Sequence, residues 1–160
     1  MIRDSMWLRA VVILVAVGLG GTRASASEPS ESEPREEPSP VGVWKTIDDD
    51  TGKAKSHVEI TDRDGKLWGR ITKLLNLPPE EGPNPLCTEC EGARKDQPIK
   101  GMTIMWNMEK RRRDWRGGHI LDPENGNTYR CRIWLDGPDK LMVRGYLGPF
   151  FRTQTWHRVK

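Results

Sequence analysis

Four short segments combine acidic or amide residues with glycine: "IDDDTGK" (47–53), "TDRDGK" (61–66), "DPENGN" (122–127) and "LDGPDK" (135–140). In the first three, an acidic side chain can accept a hydrogen bond from the backbone ahead while glycine takes the left-handed position, so each reads as a tight turn. Between the turns the residues alternate and carry β-branched or aromatic side chains, and no segment after Val41 keeps a helical period. The pattern predicts eight strands, near 41–48, 55–62, 66–75, 102–110, 114–122, 128–135, 140–147 and 152–159. Eight short antiparallel strands joined mostly by tight turns suit an all-β, up-and-down barrel, with a sandwich of two sheets as the alternative. Such a barrel is either filled by side chains or holds one small ligand, and its closure removes exposed edges.

Alternation also nominates the interior. Val58 and Ile60 share a face of the second strand, Tyr129, Cys131, Ile133 and Leu135 of the sixth, Leu141 and Val143 of the seventh. Tyr129, Cys131, Ile133 and Val143 are the candidates for lining a ligand. Six tryptophans after Val41 supply large areas to bury in a domain with few leucines.

The first forty residues read differently. Arg3 and Arg9 flank an apolar run from Ala10 to Gly20, followed by Ala24-Ser25-Ala26. The run is about half the roughly 20 residues that span a bilayer. Positive flank, short apolar core and small-residue exit predict a secretory signal peptide over 1–26, rather than an uncleaved anchor. Residues 27–40, "SEPSESEPREEPSP", hold five glutamates and one arginine among prolines and predict a disordered linker. Residues 41–160 then form one domain, with 22 Lys and Arg against 17 Asp and Glu. The expected location is periplasmic or secreted, with no transmembrane segment in the mature chain.

"VGVWKT" opens the domain with Gly42 and Trp44, and "TQTWHRV" closes it with Arg158. This resembles the lipocalin-like (calycin) arrangement, in which a first-strand tryptophan plugs the barrel floor and a last-strand arginine packs over it. The resemblance assigns Trp44 and Arg158 that role; a guanidinium on an indole face gains cation–π energy and can bond nearby carbonyls. The segments "GVWKTIDDDTGKAKSHVEI", "GKLWGRITKL", "CTECEGARKDQPIKGM", "GGHILDPENGNTYRCRIWL" and "LMVRGYLGPFFRTQTWHRV" resemble a bacterial exported family of unknown function, domain-of-unknown-function family 2147. That resemblance covers essentially all of 41–160. It implies an envelope protein with a lipocalin-like barrel and carries no agreed activity.

Cys87 and Cys90 lie in the one long connection, 76–98, amid proline and glycine. Export makes a disulfide available, and a ring this small adds roughly 2 kcal/mol on the chain-entropy model. Zinc requires four ligands; beyond this pair only Cys131, His57, His119 and His157 are on offer, with no second paired motif. A redox C-x-x-C acts from a helix N-terminus, which this loop does not predict. The expectation is therefore one disulfide, Cys87–Cys90, and one buried free thiol, Cys131, with no metal and no cofactor. The length of the loop suggests a lid.

Asp48, Asp49 and Asp50, and Asp122 with Glu124, could attract calcium but sit at turns without EF-hand spacing. No Ser-His-Asp set is readable. "KRRRDWR" (110–116) places Arg111, Arg112 and Arg113 at a hairpin, a solvated turn or a contact for polyanions such as phosphate-bearing envelope glycolipids. Export argues against nucleic acid as a partner. The functional expectation is binding without catalysis, of a small apolar ligand in or at the mouth of the barrel. The alternatives are an envelope interaction module with a filled barrel, or a C-x-x-C redox protein.

Overall fold

Each expected turn reverses one strand into the next. In the computed structural model, which describes residues 37–160, these are β1 (Gly42–Ile47), β2 (Ala54–Arg63), β3 (Lys66–Leu74), β4 (Thr103–Arg111), β5 (Asp114–Leu121), β6 (Thr128–Leu135), β7 (Lys140–Leu147) and β8 (Phe150–Arg158). The expected signal peptide (1–26), and the expected linker up to residue 36, lie outside the described residues. All neighbours pair antiparallel in chain order, and β8 returns to β1, closing the barrel. The closing seam is short: Trp44 pairs with Arg158 and Lys45 with His157.

The β2–β3 connection shows why the sequence turns where it does. Asp64 and Gly65 both take positive φ (54° and 77°), as a two-residue hairpin turn requires, and Gly65 N–H donates to Asp62 Oδ1 at 2.8 Å. In the β1–β2 turn Asp48 accepts from the Thr51 backbone N–H at 2.7 Å and from its hydroxyl at 2.6 Å. These bonds hold the Asp48 carboxyl below the usual carboxylate range. Asp48 is thereby a turn-former. The strand furthest from expectation is β8, which starts at Phe150. Gly148 and Pro149 make a two-residue turn between paired Leu147 and Phe150 that the Asp/Asn-based pattern did not mark.

Inward side chains fill the barrel. Trp44, Val58, Ile60, Met105, Met108, Ile133 and Leu141 have no solvent exposure, and Cys131, Val143 and Trp156 nearly none. Tyr129 and Leu135 are half-buried at opposite ends of β6. Among these apolar groups Thr46 and Ser56 are buried and satisfy each other, their hydroxyls 2.8 Å apart and the Ser56 N–H 3.0 Å from Thr46 Oγ1. The tryptophans divide: Trp44, Trp115 and Trp156 are buried, while Trp68, Trp106 and Trp134 lie half-buried beneath arginines at 4.5–5.2 Å. All six therefore bury area, three of them in the core and three on the outer wall. On the outside a planar arginine can cover an indole and keep its charge in water.

Candidate functional site at the barrel mouth

Antiparallel order sends alternate connections to opposite ends. The chain entering β1, the turns β2–β3, β4–β5 and β6–β7, and the end of β8 make the floor. The mouth is ringed by β1–β2, the long 75–102 connection, β5–β6 and β7–β8.

The floor is closed by Trp44 and Arg158. The Arg158 guanidinium carbon lies 4.2 Å from the Trp44 ring centroid. Its Nε donates to Pro138 O at 2.8 Å, Nη1 to Val41 O at 3.1 Å and Nη2 to Ser39 O at 2.7 Å, while Trp44 Nε1 donates to Pro40 O at 2.7 Å. Pro40 is itself buried, so the barrel's contacts begin upstream of Val41, at the end of the expected linker.

At the mouth the long connection folds back over the core. Cys87 and Cys90 are joined by a disulfide (S–S 2.01 Å) and both are buried in the core cluster. Cys87 Sγ lies 3.2 Å from Pro123 O; a disulfide sulfur has no proton, so this is packing against the β5–β6 turn. Gly126, at φ 69°, lies so close to Glu89 O and Cys90 N that no Cβ would fit. Lys55 at the start of β2 reaches Glu124 on the β5–β6 turn at 2.5 Å. The expected lid is thus seated, with its staple inside the hydrophobic cluster.

The opposite rim is bare. Leu147, Phe150 and Phe151 at the β7–β8 hairpin are 64%, 75% and 59% exposed, and Leu86 in the long connection is 48% exposed. Tyr129 lies near this end, its hydroxyl 3.2 Å from Asn125 Nδ2. Asp49 crosses the β1–β8 seam to Arg152 at 2.5 Å and Gln154 at 2.9 Å. The two strands were expected, but the sequence started the last one near 152 and the tight apolar tip was missed. Its signal was a Gly-Pro pair flanked by Leu147, Phe150 and Phe151, a turn without Asp or Asn.

The remaining candidates are scattered. Cys131, Ile133 and Val143 pack in the core between floor and mouth, away from the rim. Burial pushes the Cys131 thiol up to about 12. Arg111, Arg112 and Arg113 are exposed at the floor-end β4–β5 turn, with Arg111 2.8 Å from Glu109. His119 stacks on Trp106 outside β5, and His57 and His157 lie on the outer faces of β2 and β8. Among the described residues no three His, Cys, Asp or Glu side chains converge on a metal-sized point. Asp114 is buried; burial opposes its ionisation. The Arg116 hydrogen bond and the charges of Arg132 and Arg116 outweigh that and hold its carboxyl below the usual range. Arg116 Nε donates to Oδ1 at 3.0 Å; Arg132 Nε lies 2.7 Å from Oδ2 as an ion pair without hydrogen-bond alignment.

The profile of a bacterial family, "Uncharacterized protein conserved in bacteria (DUF2147)", matches residues 42–158, from the first residue of β1 to the last of β8. The chain belongs to this family. Among solved structures, this chain is similar to protein HP1028 from the human pathogen Helicobacter pylori, described as belonging to the lipocalin family. The TM-score is 0.63 at 19% identity, covering 75% of this chain and 82% of that one. At that identity the likeness shows the fold: this DUF2147 chain is a lipocalin-like barrel. No curated protein matches it. No helix among the described residues is long and apolar enough to cross a membrane, which says nothing of strands.

Proposed function

We propose that the protein is an exported, non-catalytic binding protein, periplasmic or secreted, that takes a small apolar ligand at the barrel mouth. One observation carries this reading: the large exposed apolar side chains Leu147, Phe150 and Phe151 gather at one hairpin of the mouth, with Leu86 also exposed at that end. Contiguous exposed apolar surface on a small domain marks a binding site more often than chance. Because Cys131, Ile133 and Val143 are packed in the core, our reading puts the ligand at the rim, against the hairpin. Binding is favoured over catalysis because the reactive groups are spoken for. Cys87 and Cys90 are bonded to each other, and Cys131 is buried as a neutral thiol.

A neutral hydrophobic fluorescent probe, titrated into the protein, tests the reading. The wild type binds it, and Phe150→Ser with Phe151→Ser weakens binding about tenfold or more, since each phenyl contributes on the order of 1 kcal/mol of contact. Val41→Ser, which removes an exposed apolar side chain at the floor, leaves binding unchanged. A wild type that refuses the probe sinks the proposal and favours a surface interaction module built on a filled barrel.

A further inference from the structure

Cross-strand register aligns five basic side chains on the outside of the barrel. Lys73 of β3 pairs with His57 of β2, His57 with Lys45 of β1, Lys45 with His157 of β8, and His157 with Lys140 of β7. No acidic residue interrupts the row. At a strand spacing of about 4.8 Å it extends about 19 Å around the wall. Its middle three members, with Asp139, Arg158, Val159 and Lys160, line an open groove of about 450 Å³.

We propose that this row is a binding site for an extended, phosphate-bearing polyanion laid across β3, β2, β1, β8 and β7.

An imidazole separates each lysine of the row from the next, so three lysines share one face of the barrel, two strand spacings apart, with no carboxylate between them. Several strand cations elsewhere on this barrel are paired: Arg116 and Arg132 with Asp114, Lys66 and Arg111 with Glu109, Lys55 with Glu124, Arg152 with Asp49. Arg144 instead lies over Phe151 and Trp134. Lys45, Lys73 and Lys140 make no ion pair with a described residue. The nearby acids are turned to other partners, Glu59 to Arg70 at 3.8 Å and Asp139 to Lys160 at 4.0 Å. A row of donors one strand spacing apart matches a chain of repeated anionic groups better than a single small anion. Nucleic acid fits less well. The outward residues two along from Lys45, His157 and Lys140 are Val43, Ile47, Thr155, Val159 and Met142, with no aromatic face on which a base could stack.

His57 reports on occupancy. It faces Lys45 from β1 and Lys73 from β3, with Glu59 two residues along its own strand. Burial, then the Lys73 and Lys45 charges, lower its pKa below the ordinary imidazole value. His157 faces Lys45 and Lys140, near Asp139 and Lys160. An anion in the row offsets the lysine charges and favours the imidazolium, so binding takes up protons and tightens as pH falls.

The test is calorimetric titration of the purified protein with linear inorganic polyphosphate at two salt concentrations, alongside the His57 ring resonance followed by NMR against pH. Polyphosphate binds and raises the midpoint of His57. Lys45→Gln with Lys73→Gln weakens binding about tenfold and lowers the salt dependence by about two ions. The same charge change at Lys53→Gln and Lys100→Gln costs less than about twofold by loss of net charge alone. Thermal melts without ligand keep the test sound, because Lys45 and Lys73 make no ion pair with a described residue and their replacement leaves the row variant about as stable as wild type. Equal losses in both double variants overturn the proposal. So does loss confined to Arg111→Ser, Arg112→Ser and Arg113→Ser. Competition by orthophosphate as strong as by polymer reduces the row to a single-anion site, and tighter binding of single-stranded DNA than of polyphosphate means that the ligand class is wrong.

Discussion

Replacing Arg158 by alanine strips the barrel floor of one of its two clamps on the chain entering β1, leaving the Trp44 indole bond to Pro40 O. The guanidinium makes three hydrogen bonds, to Pro138 O, Val41 O and Ser39 O, and covers the Trp44 ring at 4.2 Å. A charged donor on a carbonyl contributes about 1.5–3 kcal/mol when well buried, and nearer 1 where water competes, as at this half-exposed side chain. The cation–π contact adds about 1 kcal/mol. These terms share one group and are not independent, so about 3 kcal/mol is expected for Arg158→Ala. Arg158→Lys keeps the charge over the indole, but a single ammonium cannot reach carbonyls on both sides of the ring, so about 2 kcal/mol is lost. Equilibrium urea unfolding, followed by tryptophan fluorescence and circular dichroism, measures both. The order wild type, Lys, Ala is the prediction. If Arg158→Ala costs less than about 0.5 kcal/mol, the residue only decorates the surface. If Arg158→Lys matches wild type, charge alone suffices and the argument from guanidinium geometry is wrong.

Asp114→Asn leaves Arg116 and Arg132 beside a neutral amide; because both arginines are partly exposed, the cost is about 1–3 kcal/mol, below that of a fully buried pair. The Asp114 carboxyl is held below its ordinary value, so its contribution is present above pH 3.8 and is lost as pH falls through the lowered value. Acid titration of stability should therefore be flatter in the variant, and an unchanged profile would assign the acid sensitivity elsewhere. For the thiols, native protein without reductant should resist alkylation at pH 8, and denatured protein should take up one equivalent, at Cys131. Burial raises the folded thiol from 9.0 to about 12, so its share of stability is complete below the unfolded value and is lost as pH rises from 9 toward 12. Uptake of three equivalents would refute the Cys87–Cys90 bond.

The barrel was legible because its information is local. Asp62 bonding ahead to Gly65, and the alternation of Val58 and Ile60 or Cys131 and Ile133, are properties of neighbours in sequence, and they set strand number, turn position and facing. The pairing of Cys87 with Cys90 was legible for the same reason, at three residues' separation. The Trp44–Arg158 floor joins the two ends of the domain, and it was reached through resemblance to a known arrangement, since nothing local connects residues so far apart.

Alternation says which way a side chain faces and nothing of what meets it there. Only the closed barrel shows Trp44, Met105, Ile133 and Trp156 meeting in one packed core, so the candidate lining residues Cys131, Ile133 and Val143 became neighbours of one another. Only the hairpin Gly148-Pro149 moved Phe150 to an exposed tip. The basic row is the clearest case. Lys45, His57, Lys73, Lys140 and His157 are unremarkable in five separate segments, and cross-strand register, including a bulge at His57/Val58 that brings Lys73 into line, makes them adjacent. Turns and facing are decided within a few residues by backbone sterics and local hydrogen bonds. Packing and charge adjacency are decided across strands by register, which exists only once the sheet has closed.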